Sequence, residues 1–361
     1  MTSPTTDNLP PDHYDRLLAE AAAIKGVSLG RDAWRRLRRG RVAMFSLSLL
    51  VGVSLLALLT PLLPLQAPQR VNTERIFIPP TLTEPASIDP QRIEAHFGQL
   101  NWLSRRMVDL RVALFGEWAI PSLCGTDELG RDQLARLCWG ARVSLVVGLV
   151  ATLVSLVIGV SYGAISGYVG GRVDNLMMRV VDVMYSIPFI FVVIFLVTIL
   201  SEPDHIKPAL ERYGIDRITI FFFVVGAIYW LTMARVVRGQ VISLKNEQFI
   251  EAARTIGASR GRIIFRHLVP NLLSVVIVYL TLTIPRVMLF EAFLSFLGLG
   301  VQPPDVSWGL LANTGFKVIT PLKIYWWLIL FPGIALGMTL LALNFLGDGL
   351  RDALDPRLKN K

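Results

Sequence analysis

Long uncharged apolar runs separated by short polar islands dominate the chain, and their spacing sets its expected architecture. Residues 42–65 carry no charged side chain, which exceeds the roughly 20 residues a helix needs to cross a bilayer. Further runs follow at about 143–163, 180–201, 218–234, 268–293 and 324–346, so the pattern predicts an all-α polytopic membrane protein with six spans. The second run has a small residue at every fourth position: Ala151, Ser155, Gly159, Gly163, Gly167 and Gly171. Such a face lets another helix approach closely, in the same chain or in a partner. Gly333 and Gly337 give the last run a second, shorter groove of this kind.

Between the fourth and fifth runs lies a polar island, 247–270, with helical patterning. Phe249, Ala253 and Ile256 recur at i, i+4 and i+7 as an apolar stripe, while Glu251 and Arg254 fall on other faces. Gly257 stands where a residue with positive φ would close the helix, and Ser259 is placed to cap a second helix near Arg260. The expectation is helix, tight break, helix, with a face that docks onto something.

Ionisable residues inside the apolar runs are few. Asp182 lies one turn from Arg179, near the Pro188 kink of the third run, and a pair between them is expected in preference to a proton relay. Arg286 and Glu291, in the outward part of the fifth run, either line a polar route or snorkel. The Gly- and Pro-rich stretch 294–309 is too broken for a helix, and irregular backbone at membrane depth is tolerated only against protein or a water-filled cavity. Arg286, Glu291, Phe296 and Leu299 are therefore the pore-mouth candidates.

Composition agrees: hydrophobic residues make up 53%, charged residues 17%, and mean hydropathy is +0.53. The formal charge of +9 sits mainly beside the runs, as in Arg31, Arg35, Arg36, Arg38, Arg39 and Arg41 just before the first, so it marks orientation and membrane lipid contact rather than nucleic acid. By that rule both termini and the polar island are cytoplasmic, and 66–140 is a long extracytoplasmic loop or small subdomain. The divisions are 1–41, a cytoplasmic segment with a basic interfacial helix; 42–65, the first span; 66–140; 141–350, five further spans; and 351–361, a cytoplasmic tail. The first thirty residues lack the order of a cleaved signal peptide.

Catalytic signatures are missing. No G-x-x-x-x-G-K-[ST], H-E-x-x-H or G-x-S-x-G occurs, and His13, His96, His205 and His267 fall in separate regions. Thr126 and Asp127 suggest an Asx or capping turn ahead of a short helix; a metal role for Asp127, Glu128 and Asp132 is the weaker alternative, since no histidine accompanies them. Cys124 and Cys138 form no CxxC, and a bridge between them is not expected. The chain is read as binding no cofactor and no metal. A secondary transporter and a membrane scaffold remain the rivals, the former disfavoured by the lack of clearly paired acids deep in the runs.

The island also carries a resemblance. Glu251, Ala252, Ala253, Gly257 and Pro270 match the EAA loop of permease subunits in ATP-binding-cassette importers, and the ending RHLVPN resembles the dipeptide and oligopeptide branch. GTDELGRD before the second run, SGYVGGRVDN after it, LSFLGLGVQPPDVSWG, which resembles an outer scoop, and GDGLRDALDP near the end are similar to the same branch. The likeness covers about 28–65 and 122–357. It implies a type I importer permease in a bacterial inner membrane, with a second related permease, two cytoplasmic ATPases that use the ATP, and an extracytoplasmic binding protein delivering cargo. Peptides are the implied cargo, with nickel chelates, glutathione and oligosaccharides as relatives' substrates. It further implies that Glu251, Ala252, Ala253, Ile256, Gly257, Arg260 and Pro270 couple the chain to the ATPase.

Overall fold

The apolar runs form helices, and in this computed structural model, which describes residues 29–82, 86–87, 100–116, 118–201 and 217–354, they are longer and more bent than their hydropathy suggests. The helices are α1 (Leu29–Leu37), α2 (Arg41–Leu59, prolonged by a 3-10 turn, Thr60–Leu62), α3 (Trp102–Phe115), α4 (Gln133–Val169), α5 (Gly171–Ser186), α6 (Phe189–Ser201), α7 (Arg217–Leu244), α8 (Gln248–Thr255), α9 (Leu273–Phe296), α10 (Trp308–Lys317) and α11 (Trp327–Leu354). Two-residue strands β1 (Ala86–Ser87) and β2 (Trp118–Ala119) pair antiparallel. Among the described residues four helices are long and apolar enough to cross a membrane: α2 with its turn, α4, α9 and α11. Helices α5 and α6 add a fifth span if taken together across their 79° bend. Helix α7, with 28 residues, is about 42 Å long at 1.5 Å per residue.

Helix α4 has 37 residues, beginning ten positions before the apolar run. Asp132 caps it, its carboxylate accepting from the Ala135 N–H at 2.6 Å. The helix after the turn is therefore long, not short. Asp127 does make the expected Asx turn, accepting from the Leu129 and Arg131 N–H groups at 2.9 Å. Its other oxygen takes Arg131 at 2.7 Å and also the buried Arg136, so the carboxylate is spent on structure. Cys124 and Cys138 are free and buried.

The small-residue face of α4 packs against α7, which makes it an intrachain seam. A Cβ on Gly163 would lie 2.3 Å from the Ala234 carbonyl oxygen, and one on Gly159 would lie 2.6 Å from Met233 Cβ. Ser155 and Gly167 are buried on the same face, while Gly171 has left it and starts α5. Gly333 and Gly337 behave differently: a Cβ on either meets nothing within 4 Å, so their groove on α11 is open in this chain.

Asp182 pairs with Arg235 of α7 at 2.5 Å, not with Arg179. The bend after Ser186 lays α5 against α7, where Arg235 also stacks over the Tyr185 ring at 4.2 Å. Of the stretch 294–309, expected to be irregular throughout, only 297–307 is; its ends belong to α9 and α10, the latter capped by Ser307 accepting from the Leu310 N–H at 3.2 Å. At the other end α1, the start of α2 and the end of α11 meet through Leu37, Ala43 and Ala353.

Candidate docking loop

Helix α8 exists because its termination is fully provided for. Gly257 has φ +80°, the Ala258 N–H reaches the Ala253 carbonyl at 3.0 Å, and the Gly257 N–H reaches that of Arg254 at 2.9 Å. These two bonds are the Schellman pattern, and they satisfy carbonyls that the helix end would otherwise leave open. Ser259 then caps the next turn, its hydroxyl accepting from the Arg262 N–H at 3.4 Å. From there the chain runs through Arg260–Arg262, a π-helical stretch Ile263–Leu268, and Val269–Asn271 with Pro270 near its start.

One side of this loop is anchored in the α4–α7 seam. Ile250, Ala253, Ile263, Ile264 and Leu268 join Val160 and Ala164 of α4 and Val237 and Val241 of α7 in a single core cluster. Burying a side chain such as Ile250 contributes roughly 1.5 to 3 kcal/mol, enough to hold a short helix that would not form alone. Polar clamps support it. Lys245 donates to the Gly167 carbonyl at 3.2 Å. Arg254 donates to the Lys245 carbonyl at 3.2 Å and lies over the Tyr168 ring at 5.5 Å.

The other side is bare. Ile256 is 83% exposed, Phe249 is 39% exposed, and Glu251, Ala252, Arg260 and Pro270 are exposed as well. The anticipated stripe of Phe249, Ala253 and Ile256 is thus two faces. At about 100° per residue Ala253 sits some 40° round from Phe249, toward Ile250, and that displacement takes it into the core. Ile250, at i−3 from Ala253, was the overlooked signal of the inner face. Phe249, Ala252 and Ile256 remain together on the outer arc, so the structure brings them into one exposed apolar patch beside Glu251.

The pore-mouth candidates divide. Arg286 and Phe296 are exposed and Leu299 is half-buried. Glu291, by contrast, is fully enclosed, accepting from Ser295 at 2.7 Å and facing Ser144 of α4 at 3.5 Å. Ser144 also accepts from the Trp308 N–H at 3.2 Å and Ser295 from the Val301 N–H at 3.0 Å. Glu291 therefore neither lines an open route nor snorkels; it ties the irregular stretch to α4 and α9. Periodicity does not report this, because of the three serines around it only Ser295 is local, while Ser307 and Ser144 come from other elements. Among the described residues no group of three or more metal-ligating side chains is assembled.

Two family profiles match the chain: binding-protein-dependent transport system inner membrane component, over residues 143–360, and N-terminal TM domain of oligopeptide transport permease C, over residues 28–80. The oligopeptide transport system permease protein OppC of Escherichia coli (strain K12) is 41% identical over 339 residues, covering 94% of this chain and 95% of that one. The dipeptide transport system permease protein DppC of Bacillus subtilis (strain 168) is 37% identical over 342 residues, covering 94% and 90%.

Proposed function

Because this chain belongs to the binding-protein-dependent transport system inner membrane components, we propose that it is one of two permease subunits of an ATP-driven peptide importer. Its relatives' names supply the cargo class, di- or oligopeptides. The observation that carries the mechanism is the exposed patch of Phe249, Ala252 and Ile256 on a helix whose opposite face is locked into the α4–α7 core. A surface of that kind converts motion of a partner into motion of the bundle, since α8 cannot shift without α4 and α7.

In this reading α7 and the bent pair α5–α6 bring the spans to six, both termini lie in the cytoplasm, and the segment 66–140 is outside. ATP is bound and hydrolysed by two cassette subunits, not by this chain, and α8 sits in a groove of one of them. An extracytoplasmic binding protein delivers the peptide to the path between this subunit and a related second permease. The mechanism needs no chemistry from the chain itself. It needs rigid transmission, which the packed glycine seam and the Asp174–Arg238 and Asp182–Arg235 pairs provide.

Reconstitution tests the proposal. The chain, co-purified with a partner permease and cassette ATPases and placed in vesicles, is expected to hydrolyse ATP faster when the cognate binding protein and a peptide are added, and to accumulate that peptide. Uptake that proceeds without ATPase subunits, driven by an ion gradient, would establish a secondary transporter instead.

A further inference from the structure

We propose that the seam between α2 and α11, closed at its polar end by α1, is a binding site for one anionic phospholipid. Two hollows lie end to end along this helix pair. The first, about 460 Å³, is lined by Arg35, Arg36 and Arg39 together with Asp32, Gly349 and Asp352. The second, about 300 Å³, is almost wholly apolar and is formed by Val42, Phe45 and Leu49 of α2 and Met338, Leu341 and Phe345 of α11, with Arg41 at its edge.

Helix geometry makes the two hollows one surface. Met338, Leu341, Phe345, Gly349 and Asp352 succeed one another at spacings of three or four and so share one face of α11. Along the first hollow the helices come close, a Cβ on Gly349 reaching to 2.5 Å from Ala43 Cβ. The result is a charged chamber directly beside an open greasy groove, the layout of a lipid with headgroup and acyl chain.

Charge chooses the headgroup. The chamber holds three arginines against two aspartates, and Arg41 at the junction makes four against two. Asp32 is already held by Arg36 at 2.9 Å. Arg35, Arg39 and Arg41 are exposed and have no acidic partner within salt-bridge distance among the described residues. A lipid phosphate without its own ammonium supplies the missing anion, and guanidinium groups bind phosphate in a fork that suits a planar pair of oxygens. A zwitterionic headgroup would bring a further cation among these arginines. The groove needs an occupant too: Phe45 is 69% and Leu341 is 55% exposed, and among the described residues no element covers them. The leaflet concerned is the cytoplasmic one, and that detail rests on the orientation proposed above; the site itself does not.

The full-length chain, stripped of lipid in mild detergent, is incubated with phosphatidylglycerol or phosphatidylcholine and weighed intact by native mass spectrometry. One phosphatidylglycerol per chain is expected to stay bound under conditions that remove phosphatidylcholine. The double variant Arg35→Gln/Arg39→Gln is expected to weaken retention roughly 20- to 30-fold, about fivefold for each charge. Both residues are exposed, so an unchanged melting midpoint of the variant shows that the fold is intact. Glycerol phosphate, a headgroup without chains, is expected not to displace the lipid. Equal retention of the two lipids, undiminished binding in the double variant, or displacement by glycerol phosphate at equal concentration would each overturn the proposal. So would crosslinks from Phe345 to a helix of the partner permease in the assembled complex. None of these measurements involves ATP or cargo, so failure of the transport reading leaves them standing.

Discussion

Asp174 and Arg238 form a fork-on-fork pair, Nε to Oδ1 and the terminal nitrogen to Oδ2 at 2.6 Å each, and so fasten the first turn of α5 to α7. Ser166 of α4 donates to the same carboxylate, which makes this the point where three helices meet. Lysine cannot reproduce two parallel bonds. Arg238→Lys is accordingly expected to cost about 1 to 2 kcal/mol of coupling with Asp174, well above the value of an exposed pair. A double-mutant cycle with Asp174→Asn, read from thermal unfolding in detergent, measures it; additive effects would show the pair to be idle.

Glycines divide into two sets with opposite expectations. Gly163→Ala places a methyl against the Ala234 backbone, which no rotamer change can relieve, and is expected to lower stability by about 1 to 3 kcal/mol. Gly337→Ala meets nothing and should leave the isolated chain unchanged. If the open Gly333–Gly337 face packs on the second permease, Gly337→Leu will reduce assembly while melting of the isolated chain stays put. Normal assembly in Gly337→Leu would place that face against lipid.

Hydropathy, small-residue spacing and one glycine were enough to anticipate the helical class, the intimate face of α4 and the break at Gly257, since each is a local pattern with one physical solution. What escaped was nonlocal. Arg235 rather than Arg179 partners Asp182 because the bend after Ser186 swings α5 onto α7, and no periodicity within one helix reports an angle between two. Glu291 reads from its run alone as lining a polar route or snorkelling because two of its serine neighbours, Ser144 and Ser307, are far from it in sequence. Helix α10 was hidden by the Gly–Pro stretch before it, although Ser307 is an ordinary N-cap.

Native thiols should be silent in labelling experiments. Burial pushes the Cys124 thiol up to about 12, with the nearby Asp132 carboxyl adding to the effect. Because the thiolate is the reactive form, a raised value together with burial leaves almost none of it at pH 8. Maleimide is expected to leave the folded protein unmodified between pH 7 and 9 and to label it after denaturation. Against that background an impermeant maleimide on intact cells should modify Glu74→Cys and spare Gln248→Cys; the opposite pattern would invert the proposed orientation.

The two faces of α8 should respond to mutation in different ways. Ile250→Ala removes a buried side chain and is expected to cost about 2 to 4 kcal/mol, visible as lower melting and lower yield. Ile256→Asp alters a side chain that is 83% exposed, so melting should be unchanged. ATPase recovery with the purified permease should nevertheless fall, because a charge then enters an apolar groove. Equal ATPase recovery in Ile256→Asp and wild type would mean the exposed patch is not where the ATPase sits.

Gly257 separates shape from space. Its φ of +80° lies in the left-handed region, yet a Cβ there would meet no atom within 4 Å, so any penalty comes from the backbone and none from crowding in this chain. That conformation costs a residue with a Cβ roughly 1 to 2 kcal/mol, less for asparagine and more for a β-branched side chain. Severity should therefore run Gly257→Asn, Gly257→Ala, Gly257→Val. A loosened Schellman turn frees α8 from its angle to Ile263 and Ile264 without disturbing the spans. Membrane insertion should be normal in all three while binding-protein-stimulated ATP hydrolysis and peptide uptake decline in that order. Uncoupling shows itself when basal hydrolysis persists and stimulation is lost. Full stimulation and uptake in Gly257→Val would refute the role of this turn in transmitting ATPase closure to α4 and α7.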